Sequence, residues 1–490
     1  MSESMPEERP IPIYIALIPI VILISLLSMN VIIYGDDALF GSNQIVLIFS
    51  AAIAAALALK FGSSWHDLQE GIVSSIRIAI PAILILLMVG ALAGSWLLSG
   101  VVPTMIYYGL FILSPGIFLF AAAIISALVS LATGSSWTTS ATIGIALMGI
   151  GQTLGINPGF IAGAILSGAY FGDKLSPLSD TTNLASGVGG TDLFTHIRYM
   201  TITTVPSICI ALVLYLLIGF FYQHEGAVST LEIRSALTNT FNISPLLLIV
   251  PAAVIFMIVR KIHALPAIFL GAILGGIFAL IFQMPLVREI GSAYADGENA
   301  IYIGITQTFF GDIAIVTGNP TLDGLLSSGG MAGMLITVWL IISAMVFGGV
   351  MESSGFLKRI TTSLIAKATT PGKLVAATAG TCIFTNISAS DQYLSIVVPG
   401  RMYADAFEEK GLALQNLSRT LEDAGTVTSV LIPWNTCGAY HASVLGVATL
   451  SYAPYTFFCF ISPIMTVAVA WFGWRLVFLK DKEPTLDAVA

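Results

Sequence analysis

A short polar stretch, GDKLSPLSDTTN, interrupts a long apolar region and carries three charges, Asp173, Lys174 and Asp180. A charged group at the centre of a bilayer costs at least about 2.5–3.5 kcal/mol, so these charges need partners or water. Pro177 lacks a backbone donor and clashes with the preceding turn, which predicts that a helix is interrupted near Ser176–Ser179. The freed carbonyl groups and the two carboxylates are hard oxygen ligands of the kind that suits Na⁺.

A second stretch, LEDAGTVTSVLIPWNTCG, repeats this order of residue types, because acids and hydroxyls come first and Pro433 follows. Two further polar tips, TGSSWTT and TNISASD, each join apolar arms. We predict that the two interrupted helices and the two tips form one cage of oxygen atoms near the middle of the membrane. The predicted binding residues are Thr133, Gly134, Ser135, Ser136, Asp173, Lys174, Ser176, Asp180, Thr181, Thr182, Thr385, Asn386, Ser388, Asp391, Asp423, Thr426, Asn435 and Thr436, with Asp173, Asp180 and Asp423 as the Na⁺ ligands.

A carboxylate site of this kind can exchange Na⁺ for H⁺. Burial stabilises the neutral acid of a carboxyl group, whereas a bound Na⁺ stabilises the carboxylate, so competition for one site couples the two ions. Lys174 could neutralise an aspartate when Na⁺ is absent, or meet the carboxylate of an organic substrate. Simpler interpretations stay open: Asp173 and Lys174 as a structural ion pair, Asp391 as a helix cap, and Glu422 as a solvated residue at the inner membrane interface.

The composition indicates a polytopic α-helical membrane protein. Of 490 residues, 56% are hydrophobic and 9% are charged, against about 25% charged in a soluble domain. Long apolar runs such as 11–34 exclude the alternating strands of a membrane barrel, and no basic patch supports nucleic-acid binding. Scattered cysteines and histidines indicate neither a disulfide nor a metal motif. The predicted spans are 11–34, 44–61, 71–99, 197–221, 243–260, 264–283, 331–353 and 454–479.

These elements occur twice in the same order, which predicts an inverted repeat of two five-span units. Each half has three spans, a short interfacial segment, a re-entrant hairpin, a broken helix and a last span. Five crossings are an odd number, so the second unit must be upside down relative to the first, as in many secondary transporters. The predicted parts are a cytoplasmic tail 1–10, a first repeat 11–221 (hairpin 116–153, broken helix 158–190), an external linker 222–242, a second repeat 243–479 (hairpin 373–404, broken helix 411–450) and a cytoplasmic tail 480–490.

The basic residues orient this topology. With the N-terminus in the cytoplasm, all but three of the 19 lysines and arginines lie inside or near the inner interface. The three are Arg234 and Arg288, which fall outside, and Lys174 in the membrane. This bias agrees with the positive-inside rule, so we expect both termini to be cytoplasmic.

At these residues the sequence resembles the NhaC family of Na⁺/H⁺ antiporters in the ion transporter superfamily. The similar segments are TGSSWTTSATIGIALMGIG, GAILSGAYFGDKLSPLSDTTNLA and EDAGTVTSVLIPWNTCGAY. The resemblance implies exchange of Na⁺ and H⁺ across a bacterial inner membrane, an elevator-like motion, no cofactor, and a homodimer in many members. The signature residues that it carries over are Asp173, Asp180 and Thr181 in the first half, and Asp423, Thr426 and Asn435 in the second.

The family also contains relatives with organic substrates. One branch exchanges malate and H⁺ for Na⁺ and lactate, and other members move amino acids. The motifs in this sequence do not separate these branches. We therefore expect a Na⁺/H⁺ antiporter, with a Na⁺-coupled antiporter of organic acids or amino acids as the alternative. An intramembrane enzyme would need a nucleophile–base pair or a metal motif, which the sequence lacks, and a channel would move ions only downhill.

Overall fold

The structure, a computed structural model, describes residues 11–34, 38, 40–221, 230–365 and 368–479. The predicted tails 1–10 and 480–490 and residues 222–229 of the predicted linker lie outside this part. Within it, seven helices are long and apolar enough to cross a membrane, or nine spans if each of two bent helix pairs is one span. The prediction of an all-α polytopic membrane protein is therefore confirmed.

The first half of the chain alternates long apolar helices with shorter, interrupted ones. A π-helical turn at Ser140–Gly144 lies between two of them. The helices are α1 (Ile13–Tyr34), α2 (Ser42–Lys60), α3 (Trp65–Leu98), α4 (Val101–Ile112), α5 (Pro115–Thr133), α6 (Ser136–Thr139), α7 (Ile145–Thr153), α8 (Pro158–Leu175), α9 (Asp180–Val188) and α10 (Leu193–Phe221).

The middle of the chain contains more regular structure than the sequence predicts. The described end of the predicted external linker is a helix, and the acidic segment 284–330 folds into a helix pair and a two-stranded antiparallel sheet that pairs Ile313 with Ser328. The helices within segment 284–330 are too short to cross a membrane. The elements are α11 (Thr230–Thr240), α12 (Ile249–Val259), α13 (Ala264–Phe282), α14 (Met284–Ser292), α15 (Glu298–Phe310), β1 (Ile313–Ala314), α16 (Pro320–Asp323), β2 (Ser327–Ser328), α17 (Gly330–Gly333), α18 (Leu335–Ser353) and α19 (Phe356–Ile365).

The last part of the chain again contains a hairpin and an interrupted helix. Its interrupted helix includes a π-helical segment, Leu421–Thr426, and a 3₁₀ turn, Ser429–Leu431. The last two helices, joined through a 3₁₀ turn, meet at a bend of 55°. The helices are α20 (Pro371–Ser388), α21 (Leu394–Glu409), α22 (Gln415–Thr420), α23 (Thr436–Leu445), α24 (Thr449–Tyr452) and α25 (Phe457–Trp471).

The two halves share the spacing of their elements as well as their order. The starting residues of α5 and α20, of α9 and α23, and of α10 and α24 are each 256 positions apart. The hairpin tips also correspond, because Gly134 and Ser390, again 256 apart, both have a left-handed backbone, with φ of 69° and 59°. Several helix starts and the turns at the two tips therefore recur at one spacing in the two halves.

The helices pack as two groups with a cavity between them. In the first group α3 packs against α13 and α18, and α18 also packs against α2. In the second group α5 packs against α8 and α10, and α20 packs against α21 and α25. The short helix α19 has two faces, because Leu357 and Ile360 are buried while Lys358 and Arg359 are exposed; its place at the membrane interface stays a prediction.

A pair of glycines brings α5 and α8 into close contact. Gly168 and Gly172 are one turn apart on α8, and a Cβ atom on them would lie 2.0 Å from the Ala123 carbonyl oxygen and 2.3 Å from that of Ala127. Small residues at this spacing let two membrane helices approach backbone to backbone. The contact fixes α8, the helix that carries Asp173.

We expect Gly168→Val to destabilise the protein by forcing α5 and α8 apart, since the added side chain would overlap backbone atoms of α5. Overpacking of this kind costs about 1–3 kcal/mol, which a thermal melt of the detergent-solubilised protein would detect. Gly380→Val is the matched control, because Gly380 lies in helix α20 and a Cβ there meets nothing within 4 Å. Equal melting temperatures for the two variants would contradict this account.

Candidate ion-binding site

A cavity of about 600 Å³ lies between the two helix groups. One part of its wall comes from α3 and from the turn between α12 and α13, and the other from the two hairpin tips and the two helix interruptions. Three carboxyl groups line it, those of Asp173, Asp180 and Asp391. The predicted binding residues on its wall are Thr133, Gly134, Ser135, Asp173, Asp180, Thr181, Asp391 and Thr436.

The first interruption lies at the predicted place, because α8 ends at Leu175 and α9 begins at Asp180. The Ser179 hydroxyl caps α9 by accepting from the Thr182 backbone N–H at 3.3 Å, which satisfies one of the free donors at a helix start. The Thr182 hydroxyl donates back to the Lys174 carbonyl oxygen at 3.1 Å. The two half-helices are thus held together across the break.

The first hairpin tip is tied to this interruption through Asp173. Its carboxylate accepts two hydrogen bonds from Ser136, one from the backbone N–H at 3.0 Å and one from the hydroxyl at 2.7 Å. Gly134 turns the chain at the tip, and a Cβ atom there would lie 2.6 Å from the Leu178 side chain. The tip and the break therefore form one unit with Asp173 at its centre, 5% exposed.

The second tip has the same construction with different side chains. Asp391 Oδ1 accepts from the backbone N–H groups of Tyr393 at 2.8 Å and Leu394 at 3.0 Å, so the interpretation of Asp391 as a cap is correct. The Thr436 hydroxyl donates to its other oxygen at 3.4 Å. Asp391 thus combines a capping role with a place on the cavity wall.

The contact between Asp173 and Ser136 recurs in the second half as a neutral one. Ser429 and Gln392 lie 256 positions after these two residues, and the Ser429 hydroxyl donates to Gln392 Oε1 at 3.1 Å. Cys437 Sγ contacts the same oxygen at 2.9 Å. This particular contact is therefore built twice but carries a carboxylate only in the first half, which makes the site chemically asymmetric.

Asp180 is the carboxyl group with unused capacity. It is the first residue of α9 and is exposed. Within the described residues its side chain forms no hydrogen bond or ion pair, whereas Asp173 and Asp391 each accept from their tips. A cation entering the cavity would find the Asp180 carboxylate open to it, with the Thr181 hydroxyl beside it.

Asp423, predicted as the third Na⁺ ligand, does not line the cavity. Its Oδ1 is paired with the Lys174 ammonium group, which also donates to the Ser462 hydroxyl at 3.1 Å, and Arg419 Nε lies 3.9 Å from its Oδ2. All of these charged side chains are fully buried. Successive helix residues point about 100° apart, so Asp173 faces the cavity while Lys174 faces the protein interior.

This arrangement corrects two further interpretations. Lys174 is paired with Asp423 instead of its neighbour Asp173, so it is not available in the cavity to an organic carboxylate. Glu422 is fully buried, so its interpretation as a solvated interfacial residue is wrong. Both carboxylate oxygens of Glu422 are without a hydrogen bond inside the described part of the chain.

Two of the other predicted site residues, Asn386 and Asn435, connect the second tip with the second break behind the cavity wall. Asn386 donates to the Gly425 carbonyl oxygen at 2.6 Å, and Asn435 donates to Asn386 Oδ1 at 3.0 Å while capping α23. Off the cavity wall lie Ser136, Lys174, Ser176, Thr182, Thr385, Asn386, Ser388, Asp423, Thr426 and Asn435.

Sequence reasoning missed the wall that the first helix group provides. Ile78, Pro81 and Ile85 of α3 and the basic residues Lys261 and His263 of the α12–α13 turn line the same cavity. No local pattern marks them, since α3 reads as an ordinary span and the turn as an ordinary inner loop. Their role follows from packing between residues far apart in the sequence.

A cation in this cavity would bind a mixed set of oxygens. In the part of the chain that the structure describes, no group of three or more histidine, cysteine, aspartate or glutamate side chains is arranged to hold a metal ion. The carboxylates of Asp173 and Asp180 with hydroxyl and backbone oxygens of the tips provide hard ligands instead. That donor set is of the kind that suits Na⁺.

We expect Lys174→Met to lower the free energy of unfolding by about 3–5 kcal/mol, because it leaves the buried Asp423 carboxylate without its cation. The double variant Lys174→Met/Asp423→Leu should recover part of this loss, since it removes the unpaired carboxylate but leaves the buried Arg419 without the Asp423 contact. Thermal melts of the purified protein give the comparison. Additive losses in the double variant would show that the two charges do not interact.

The chain is similar to known antiporters over most of its length. Residues 168–474 match the model of the Na⁺/H⁺ antiporter family. The chain is 39% identical to the Na⁺/H⁺ antiporter NhaC of Alkalihalophilus pseudofirmus, over 91% of this chain and 93% of that protein. The malate-2H⁺/Na⁺-lactate antiporter of Bacillus subtilis is 38% identical (89% and 91%), and the arginine/ornithine antiporter ArcD of Halobacterium salinarum is 37% identical (99% and 96%).

The family model covers more than half of the chain, and the matched segment contains Asp173, Asp180, Asp391 and Asp423. The relatives are antiporters whose named substrates differ, so the similarity fixes the family and leaves the substrate open. With this match and these relatives, the chain belongs to the NhaC family of Na⁺/H⁺ antiporters.

Proposed function

We propose that the protein is a secondary active transporter that exchanges Na⁺ for H⁺ across a bacterial inner membrane. The observation that carries this proposal is the convergence of Asp173, Asp180 and Asp391 on one cavity between two hairpin tips and two helix interruptions. Carboxyl groups at membrane depth are costly and mark ion pathways. The membership of the family supports the same activity.

Competition at the carboxylates of Asp173 and Asp180 would couple the two ions. A bound Na⁺ stabilises the charged carboxylates. In the absence of Na⁺, a bound proton neutralises them instead. Either form lowers the negative charge of the cavity, so either form can accompany a change of access. A site with neither ion would keep its charge uncompensated and would move less readily.

The fold supports alternating access if its two halves are inverted repeats. The constant spacing of 256 residues, the paired left-handed turns and the paired tip–break contacts favour a repeat. Five crossings in each half would place the halves in opposite orientations. The helix α5 is long enough to cross a bilayer, so its length does not favour a re-entrant hairpin. The proposal that the first hairpin is re-entrant rests on Gly134, which lies at the cavity.

An antiporter of small organic ions is the second candidate. The cavity of about 600 Å³ is larger than one Na⁺ requires, and small-molecule sites occupy about 300–1,000 Å³. Part of its wall is apolar, with Ile78, Ile85 and Trp137. Relatives named for malate and lactate, and for arginine and ornithine, show that the family accommodates such substrates.

We expect Asp180→Asn to abolish exchange, because it removes the carboxylate that is open to the cavity. Asp173→Asn should do the same while also weakening the acceptor for Ser136. Proton movement driven by a Na⁺ gradient in proteoliposomes measures the effect. Asp405→Asn, a change of the same type at an exposed residue away from the cavity, should exchange normally, and wild-type turnover in Asp180→Asn would remove that residue from the mechanism.

The two candidates differ in what a Na⁺ gradient moves on its own. For the Na⁺/H⁺ antiporter we expect proton movement with Na⁺ as the only added solute, measured with a pH-sensitive dye inside the vesicles. Exchange that appears only after malate, lactate or an amino acid is added would reject simple Na⁺/H⁺ exchange and favour the second candidate.

A further inference from the structure

Glu422 is a buried carboxyl group that the exchange proposed above does not use. Its side chain is fully buried, and both of its oxygens are without a hydrogen bond inside the described part of the chain. Among the residues that the structure describes, it forms no ion pair either. It does not line the cavity, so it is not one of the oxygens that would bind Na⁺ there. An ionisable group kept inside a membrane at such a cost points to a function.

Glu422 also departs from the correspondence between the two halves. The residue 256 positions earlier is Leu166, which is buried in the regular helix α8. Glu422 instead lies in the π-helical segment Leu421–Thr426, and π-bulges inside helices occur frequently at functional sites. The second half therefore has an acid and an irregular helix where the first half has an ordinary core residue. Packing of the helix does not by itself require the acid.

The surroundings of Glu422 support both of its protonation states. Two buried cations, Lys174 and Arg419, accompany one other buried carboxylate, that of Asp423. An ionised Glu422 would balance the second cation, whereas a protonated Glu422 would avoid the cost of a buried carboxylate without donors. A group that carries a proton must reach both states, and this environment opposes neither of them alone.

The charges that act on Glu422 come mainly from α8. The helices α9, α20, α21, α22 and α25 pack against its segment. Their titratable residues are Asp180 of α9, Lys373 and Cys382 of α20, Arg401, Tyr403, Asp405, Glu408 and Glu409 of α21, Arg419 of α22 and Cys459 of α25. The buried ones are Cys382, Tyr403, Arg419 and Cys459. The charged groups that influence Glu422 electrostatically are Lys174 and Asp173, both of α8.

A hydroxyl group links Glu422 to the cavity. The Thr181 and Thr426 hydroxyls lie beside its carboxyl group, and Thr181 also lines the cavity, next to Asp180. Asp173, whose charge acts on Glu422, lines the same cavity. A proton therefore has a polar route from water in the cavity past Thr181 to Glu422.

We propose that Glu422 binds a proton that is exchanged for Na⁺, at a site separate from Asp173 and Asp180. The proton comes from water in the cavity, forms an O–H bond with a Glu422 oxygen and returns to water after access has changed. The negative charge of Asp173 opposes an ionised Glu422, so an empty Na⁺ site favours the protonated acid. Na⁺ at Asp173 removes this opposition and favours release of the proton. This inference rests on the proposed function, because it assigns a residue to the proton of that exchange.

The experiment measures both ions in the same proteoliposomes. The fluxes of radioactive Na⁺ and of protons under one Na⁺ gradient give the number of protons moved per Na⁺. We expect Glu422→Gln, which resembles the protonated acid but cannot release a proton, to move fewer protons per Na⁺. At saturating Na⁺ on both sides it should still exchange radioactive Na⁺ for unlabelled Na⁺, since that exchange needs no proton.

Two further variants control this comparison. Glu422→Asp keeps a carboxyl group and should move protons, whereas a purely structural role for the side chain would not distinguish the two variants by their proton coupling. Glu408→Gln makes the same change as Glu422→Gln at an exposed glutamate of α21 that does not line the cavity. It should keep the wild-type number of protons per Na⁺.

Infrared difference spectroscopy tests the protonation of Glu422 without transport. Adding Na⁺ to the purified, detergent-solubilised wild type should weaken the carbonyl band of a protonated carboxylic acid, because Na⁺ favours release of the proton. The Glu422 part of this change should be missing in Glu422→Gln and should appear at a shifted frequency in Glu422→Asp. A Na⁺-dependent band that is the same in the wild type and in both variants would assign the proton to another residue.

The outcomes separate this inference from the function on which it rests. If the wild type moves no protons under a Na⁺ gradient, the proposed function fails. If it does and Glu422→Gln keeps the wild-type number of protons per Na⁺, the inference fails while the proposed function stands. If Glu422→Gln moves neither ion, the infrared comparison of the wild type with Glu422→Asp decides, and an unshifted band overturns the inference.

Discussion

The cost of holding charges and open backbone groups inside a membrane is the constraint on which this structure depends. Each interrupted helix frees donors and acceptors that lipid cannot satisfy, and each buried carboxylate needs donors or a cation. The chain meets both needs by placing a hairpin tip against each interruption. Ser136 serves Asp173, and the backbone N–H groups after Asp391 serve that carboxylate. The tips are therefore part of the site and part of what holds the fold together.

The acidic residues of the two helix interruptions lie in two environments with different consequences. Asp423 is neutralised by Lys174 deep in the protein, and such a pair joins the two halves of the chain across 249 positions. Asp180 faces the cavity without a partner in the described residues. A permanently paired carboxylate is poorly suited to exchange an ion, because the entering cation must displace a lysine. An open carboxylate beside tip hydroxyls has no such barrier, which is why the transport proposal is centred on the cavity.

The repeat that we propose would explain how two similar halves produce one asymmetric site. Helix starts and tip turns recur at a spacing of 256 residues, yet Asp173 corresponds to Ser429 and Ser136 to Gln392. The repeated backbone provides two tips and two breaks, and the side chains give each a different chemistry. The acidic groups therefore lie on the wall formed by the tips and the interruptions. Lys261 lies on the other wall, in the turn between α12 and α13.

The sequence by itself determined the class of protein, the family, the break at Ser176–Ser179 and the repeated order of elements, because hydropathy, proline and local motifs act over neighbouring residues. It also predicted that Asp173 and Asp180 lie close together, and both line the same cavity. The predicted residue Asp391 lines the same cavity, but only the tertiary structure decided that Asp423 is paired with Lys174 away from it and that Lys261 lies on its wall. These choices depend on which face each helix turns to its neighbours. A rotation of about 100° per residue separates adjacent side chains, and partners hundreds of positions apart leave no local pattern to read.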